Sequence, residues 1–210
     1  MGKAYTHRKK IRDRPKSDFY QTSRPLVWEL MKLDLFDFNK SWIEPFCGEG
    51  AITLILNDYF KSEKSYANDL KYGYNFMNED RKFDYVISNP PFSDFDNCVM
   101  KAKEIAKEKI AFIGKTNFFG AEKRNRIGVW KHLKHVYVFN RQVDYRYFRE
   151  DNKMICGNLI SAWFIWDMNW NENYWMTSII DVQKYILKNQ KSKKIITIKK
   201  NNLNDSNLFF

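Results

Sequence analysis

The chain has 210 residues, of which 44% are hydrophobic and 29% are charged, and its formal net charge is +11. This length fits one domain, and the composition is typical of a globular protein rather than a disordered or fibrous one. No apolar run approaches the roughly 20 residues that a transmembrane helix needs, so we expect a cytoplasmic protein with no membrane contact.

Both ends of the chain are strongly basic. Residues 1–16 hold seven Lys or Arg and one acid, and residues 184–200 hold seven lysines and no acid. Such clusters suit a polyanion, because neutralised phosphates release counterions, but they also occur in solvated tails. We predict a basic N-terminal arm over residues 1–17, a folded domain over 18–187 and a basic polar C-terminal tail over 188–210.

Within the predicted domain, helix and strand patterns alternate along the chain. The apolar spacing predicts helices over 26–35, 51–60 and 97–107, and strands over 41–44, 65–68, 84–88, 109–113, 136–139 and 159–166. This alternation predicts an α/β fold with a mostly parallel central sheet that is flanked by helices. In such sheets, ligands bind at the carboxyl ends of the strands.

A loop with two glycines joins the first predicted strand to a helix, and its residues 44–50 read Glu-Pro-Phe-Cys-Gly-Glu-Gly. Gly48 and Gly50 allow a tight turn and a close approach to a ligand, although an ordinary strand-to-helix turn has the same pattern. Asp69 follows the second predicted strand, where a carboxylate binds the ribose hydroxyls of a nucleoside cofactor or caps a helix. The loop lacks the P-loop and GxGxxG patterns, which disfavours a phosphorylated cofactor.

The third predicted strand ends at a second motif, Asn89-Pro90-Pro91-Phe92. Two prolines fix the backbone and remove two N–H donors, so the Asn89 side chain and the nearby carbonyls remain as acceptors. Phe92 offers a flat face for stacking. Acceptors for an NH₂ group beside an aromatic plane suit the amine of a planar base, and a rigid turn with a core phenylalanine is the structural alternative.

These two motifs together resemble those of the adenine-N6 DNA methyltransferases, in particular the small, phage-type amino-methyltransferases with an NPPF motif. Residues 18–25 are similar to the family's motif X, which closes over the methionine end of the cofactor. Residues 116–120, with Arg124 beyond them, resemble the segment that follows the NPPF motif, and residues 160–167 resemble a late strand of the small members. The resemblance covers residues 18–168.

The resemblance implies a Rossmann-like class I fold, with S-adenosylmethionine as the cofactor and residues 18–187 as the catalytic domain. It implies a catalytic motif made of Asn89, Pro90, Pro91 and Phe92. It also implies a cofactor-binding set made of Phe19, Tyr20, Thr22, Glu44, Phe46, Cys47, Gly48, Gly50, Asp69 and Asn89. No metal and no covalent nucleophile is implied, and the three cysteines form no CxxC pair, so we expect reduced thiols and no zinc site.

DNA is the implied substrate, and its target base must leave the duplex to reach such a pocket. We expect a recognition insert around residues 117–158, with phosphate contacts from Arg124, Arg126, Arg141 and Arg146. Relatives carry Asp-Phe-Leu near the cofactor adenine where this chain has Asn75-Phe76-Met77, so Asn75 and Asp80 both remain candidates for that contact. Three alternatives stay open: an RNA adenine-N6 methyltransferase, a protein glutamine methyltransferase, and a non-catalytic module that binds the cofactor or nucleic acid.

Overall fold

The computed structural model of the chain describes residues 22–140 and 160–181, in which helices pack on both faces of a seven-stranded sheet. The helices are α1 (Arg24–Lys32), α2 (Thr53–Tyr59), α3 (Phe95–Ile105) and α4 (Glu122–Arg126). The strands are β1 (Trp42–Glu44), β2 (Tyr66–Ala67), β3 (Phe83–Ser88), β4 (Ala106–Lys115), β5 (Leu133–Phe139), β6 (Ser161–Asp167) and β7 (Met176–Ile180).

The strand order in the sheet is β2-β1-β3-β4-β6-β5-β7, and β6 alone runs antiparallel to its neighbours. The six parallel strands therefore end at the same edge, which we call the carboxyl edge. The register aligns Glu44 of β1 with Ala67 of β2, and Ser88 of β3 with Phe112 of β4. Because β3 lies between β1 and β4, the residues that follow these strands meet at the middle of the carboxyl edge.

Alternation along the strands divides the core into two layers, since successive side chains point to opposite faces of a sheet. Trp42, Ile87 and Ile113 pack with α1 and α2 on one face, whereas Val86 and Phe112 pack with α3 on the other. Burying tryptophan requires a partner for its indole N–H. The Trp163 and Trp166 side chains donate to the carbonyls of Leu26 and Val129, at 3.0 and 2.8 Å.

The predicted α/β fold with a mostly parallel sheet is confirmed, and each predicted helix and strand overlaps an observed one. One strand was not predicted: β7, whose first four residues are exposed and show no alternation of apolar and polar side chains. The connection from β2 to β3 has 3₁₀ turns, at Leu70–Tyr72 and Phe76–Asn78, in place of a crossover helix. Among the described residues, no helix has the length and hydropathy to cross a membrane.

Several predicted segments lie outside the described residues, namely the arm over 1–17, the tail over 188–210 and residues 141–158 of the predicted recognition insert. The described part of that insert contains β5, which is a strand of the central sheet. It also contains most of a 3₁₀ helix, Thr116–Gly120, the short helix α4 and the turns that lead to β5. The domain limits and the recognition role therefore stay predictions.

Candidate active site

Glu44, the last residue of β1, carries a carboxyl group that is buried beneath the start of α2 and is 1% exposed. The Thr53 hydroxyl, on the first residue of α2, donates a hydrogen bond to Glu44 Oε2. Burial raises the pKa of Glu44 to about 8, although the hydrogen bonds from Thr53 act in the opposite direction. An ionised Glu44 is therefore costly until a positive charge comes close to it.

The loop between β1 and α2 turns through two left-handed residues, Gly48 with φ +52° and Gly50 with φ +77°. This conformation is costly for residues that carry a Cβ and free for glycine. The Cys47 N–H donates to the Asn68 carbonyl at 3.0 Å, which fastens the loop to the end of β2. No atom lies within 4 Å of the position that a Cβ on Gly50 would take, so the backbone there faces open space.

Asp69 begins the segment after β2 and supports the glycine loop. Its Oδ2 accepts a hydrogen bond from the Gly48 N–H at 2.9 Å, and its Oδ1 accepts one from the Lys71 N–H at 3.0 Å. The capping role that the sequence left open is thus observed at the 3₁₀ helix Leu70–Tyr72. A carboxylate has about four lone-pair sites, so these two bonds leave capacity for ribose hydroxyls.

Phe46 of the glycine loop lies half-buried with its ring edge-on to Phe76, at 5.2 Å between centroids. Phe76 is buried, and the residue before it, Asn75, uses its side-chain oxygen to cap the 3₁₀ helix by accepting from the Met77 N–H at 3.0 Å. Asp80 is exposed. The geometry therefore gives the Asn75 side chain a capping role, and the contact to the cofactor adenine stays unassigned between Asn75 and Asp80.

Asn89 directly follows β3 and is tied to the segment before α1. Its Nδ2 donates to Thr22 Oγ1 at 3.2 Å, and Thr22 is buried. Pro90 is buried as well, and Pro91 leads into the 3₁₀ helix Phe92–Asp94 and then α3. The predicted motif thus forms one rigid turn at the carboxyl edge, with the Asn89 amide held from its nitrogen side.

The Phe92 ring has two neighbours, one at the end of β4 and one just beyond it. Phe118 meets it edge-on at a centroid separation of 6.1 Å, and the Lys115 ammonium lies 4.5 Å from its centroid. Lys115 was not among the residues predicted from the sequence, although a lysine directly after a run of five buried strand residues is a signal that a sequence can carry. Phe92 itself is half-buried and packs against both layers of the core.

Arg124 has intramolecular partners in the structure. Its Nε donates to Asp96 Oδ1, its Nη1 donates to the Phe118 carbonyl at 3.1 Å, and its guanidinium lies 4.5 Å from the Phe118 ring centroid. The side chain is 16% exposed, and its phosphate contact stays a prediction. Arg126 is exposed and stays a candidate.

The remaining predicted site residues, Phe19, Tyr20, Arg141 and Arg146, lie outside the described residues. The two described cysteines are protonated at neutral pH, because burial raises the pKa of Cys47 to about 11 and that of Cys98 to about 12. Among residues 22–140 and 160–181, no group of three His, Cys, Asp or Glu side chains is arranged to hold a metal ion.

Glu79 is a further residue of this region that was not predicted from the sequence. It is buried between β2 and β3, where it pairs with Arg81 and accepts a hydrogen bond from the Tyr74 hydroxyl at 2.8 Å. The hydrogen bonds from Arg81 hold the pKa of Glu79 at about 2. This pair fixes the segment that carries Phe76 beneath the glycine loop.

Neither a sequence-family model nor a curated protein matches this chain, whereas solved structures do. The methyltransferase subunit of a type I restriction-modification system from Streptococcus thermophilus superposes with a TM-score of 0.58 at 11% identity, over 86% of this chain and 54% of that one. A Vibrio vulnificus protein assigned to the modification subunits of type I restriction enzymes gives 0.54 at 12% identity, over 90% and 54%.

A Pyrococcus horikoshii protein assigned to the RNA methyltransferases superposes with a TM-score of 0.52 at 16% identity, over 74% of this chain and 90% of that one. The chain thus spans about half the length of the two restriction-modification subunits. At these identities the likeness concerns the fold. The order and direction of the strands, the glycine loop after β1 and these superpositions show that the chain has the Rossmann-like fold of class I S-adenosylmethionine-dependent methyltransferases.

Proposed function

We propose that this protein transfers a methyl group from S-adenosylmethionine to the N6 amine of adenine in DNA. The observation that carries the proposal is the Asn89-to-Phe92 turn at the middle of the carboxyl edge. It combines an amide held in one orientation by Thr22 with an aromatic ring that packs against Phe118. Glu44 ends the neighbouring strand β1, and Asp69 follows β2, the next strand along the same edge.

The chemistry of these groups fits the cofactor. S-adenosylmethionine supplies, when bound, a methyl group on a positively charged sulfur, together with an ammonium group and two ribose hydroxyls. The buried Glu44 carboxyl suits a cation, and the Asp69 carboxylate, which already fixes Gly48, suits hydroxyl donors. The Asp69 carboxylate beside the loop repels a phosphate, which agrees with the absence of phosphate patterns. The open space at Gly50 lets a ligand approach the backbone.

Asn89 positions and activates the amine in this proposal. Because its Nδ2 donates to Thr22, its Oδ1 is the atom of the amide that accepts from an NH₂ group. Pro90 and Pro91 have no N–H that competes for the same acceptors. An acceptor that matches the positive charge developing on nitrogen, fixed before the substrate arrives, stabilises the transition state. Phe92 holds the plane of the base, and this alignment lowers the barrier further.

Several features support DNA as the substrate. The net charge of +11 favours a polyanion over a protein side chain, and Arg126 lies exposed next to the carboxyl-edge segment that follows β4. Two of the structural neighbours belong by name to restriction-modification systems. RNA adenine is the second candidate, since another neighbour is assigned to the RNA methyltransferases. A base in a duplex must be flipped out to reach the turn, at a cost of a few kcal/mol.

The test uses the full chain with labelled S-adenosylmethionine and three substrates in parallel: unmethylated DNA, RNA and a protein mixture. Digested DNA is examined by mass spectrometry for N6-methyladenine. We expect label in DNA, and we expect Asn89→Ala to lower the rate by about 100-fold, as for the loss of a preorganised acceptor or donor. The matched control is Asn173→Ala, which changes an exposed asparagine in the segment between β6 and β7.

Label in RNA or protein alone would show that DNA is not the substrate, and the assignment of the cofactor would stand. Full activity of the Asn89→Ala protein would overturn the pocket. A chain that neither binds the cofactor nor labels any substrate would overturn the enzymatic function itself. Thermal unfolding of both variants shows whether the loss of activity reflects a loss of the fold.

A further inference from the structure

Lys115 lies at the proposed target pocket and has no role in the function proposed above. It is the last residue of β4, next to β3 and the Asn89-to-Phe92 turn. By alternation along β4 it shares a face of the sheet with Ala111 and Ile113, which is the face that α1 and α2 cover. Its ammonium group lies 4.5 Å from the centroid of the Phe92 ring.

A base that stacks on Phe92 competes with this ammonium for the same space. Stacked aromatic rings have centroids from about 4.5 Å apart, which matches the distance at which Lys115 now covers the ring. Phe118 packs against the same ring at an interplanar angle of 76°. Lys115 therefore covers one face of Phe92, and the lysine stem is long and flexible enough to move aside when a base stacks there.

The ring itself is held in place while the lysine moves. Phe118 packs against both Phe92 and Phe95, and Arg124 fixes Phe118 through its guanidinium face and the Phe118 carbonyl. Arg124 is in turn anchored by Asp96 on α3. Residues of α3 thus support the Phe92 ring through Phe118, while the Lys115 ammonium covers one face of it. We call this ring and its support the Phe92 platform.

We propose that Lys115 binds the target nucleotide, with its ammonium group leaving the face of Phe92 as the base stacks there and pairing with the phosphate of that nucleotide. Each nucleotide brings an anionic phosphate next to its base, and an ammonium group that has left the ring forms a charge-assisted hydrogen bond with it. The identity of the substrate in this inference rests on the proposed function. The chemistry of the contact, an ammonium with a phosphodiester, holds for DNA and RNA.

Lys61 provides a matched control for the charge and for the contact with a ring. Its ammonium lies 4.8 Å from the centroid of Phe38. Lys61 lies after α2 and before β2, at the edge of the sheet opposite to the carboxyl edge. Lys61→Met therefore removes one positive charge and one cation–π contact, as Lys115→Met does, but away from the proposed pocket.

The experiment measures the Kd for an unmethylated DNA duplex across a range of salt concentrations, together with kcat and KM for methylation. We expect Lys115→Met to weaken DNA binding about fivefold to tenfold near 0.1 M salt and to lower the slope of log K against log salt by about one. KM for DNA should rise with binding, while kcat and the Kd for S-adenosylmethionine change less than twofold. We expect Lys115→Arg to restore the slope and Lys61→Met to match the wild type.

Equal salt slopes for Lys115→Met and Lys61→Met would overturn the inference. A loss of kcat in Lys115→Met with an unchanged slope would also overturn it, because the lysine would then act on the ring alone. If the wild type transfers no methyl group to DNA but Lys115→Met still lowers the slope, the proposed function fails and the nucleotide contact stands. The binding readout thus separates the two proposals.

Discussion

The side-chain amide of Asn89 donates a hydrogen bond to the Thr22 hydroxyl across 3.2 Å, between residues 67 positions apart in the chain. Thr22 precedes α1, whereas Asn89 follows β3. The bond commits the nitrogen of the amide to the protein and thereby sets the direction of the amide oxygen. The orientation of the proposed acceptor is thus decided by a residue that lies outside the Asn-Pro-Pro-Phe motif.

Thr22→Val removes the hydroxyl that accepts from Asn89 and keeps the shape of the side chain. We expect kcat for methylation to fall roughly 10- to 100-fold, because a small misplacement of a positioning group costs that much. Thr22→Ser keeps the hydroxyl and should stay within about threefold of the wild-type rate, by the same reasoning. Steady-state kinetics with saturating DNA and cofactor measure the effect. An unchanged kcat in Thr22→Val would show that the amide needs no such support.

The sequence predicted the parts of the site that follow from local chemistry. Gly48, Pro90 and Pro91 stop strands and turn the chain wherever they occur, and parallel strands bring the residues after them to one edge. Glu44 and Asn89 were therefore expected at the same edge, where the structure has them. The direction in which each side chain points depends on packing, which local patterns do not contain.

Contacts between segments that are distant in the chain could not be predicted from the sequence, because they too depend on packing. Nothing local indicates that Asn89 meets Thr22, or that Arg124 pairs with Asp96 on α3. An arginine in a polar segment is surrounded by the same kinds of residues in the sequence whether it binds a phosphate or a carboxylate of the protein itself. Strand β7 was missed because its exposed residues lack the period that identifies a strand.

Glu44 should make stability and cofactor binding depend on pH. Its pKa is about 8 in the folded protein because of burial, and near 4.5 in an unfolded chain. The folded state then holds one more proton than the unfolded state between these values, so stability falls as pH rises from about 4.5 to 8. We expect Glu44→Gln to flatten this part of the Tm curve and to raise Tm at pH 8 by at least about 3 °C.

The same carboxyl group should release its proton when the cofactor's ammonium group approaches, since a nearby positive charge favours the ionised form. Calorimetry of S-adenosylmethionine binding at pH 7, in buffers of different ionisation enthalpy, should detect up to about one proton released per cofactor. Glu44→Gln should remove the release and weaken binding. A wild-type protein that releases no proton would contradict this account of Glu44.

Gly114, next to Lys115 in β4, is required by close packing rather than by its backbone angles. A Cβ there would lie 2.9 Å from Phe164 Cε2 and 3.0 Å from two ring atoms of Phe95. Overpacking of a core costs about 1–3 kcal/mol, so Gly114→Ala should lower the free energy of unfolding by that amount, as measured by urea denaturation. Gly120→Ala is the control, since no atom lies within 4 Å of its Cβ position. Equal stability of the two variants would refute the packing argument.

Arg124 and Arg126 lie two positions apart on α4 and should respond to substitution in opposite ways. In the wild type the Arg124 guanidinium donates to both Asp96 and the Phe118 carbonyl, and Arg124→Met removes both hydrogen bonds. Such a loss costs about 1–3 kcal/mol of folding free energy, and thermal unfolding measures it. Arg126 is exposed, so Arg126→Met should leave Tm within about 1 °C, as for other surface substitutions. It should weaken DNA binding by the contribution of one phosphate contact.

If Arg124→Met instead kept its Tm and lost DNA affinity, the guanidinium would have to leave Asp96 for a phosphate. The support that it gives to Phe118, and through it to the Phe92 platform, would then be incidental.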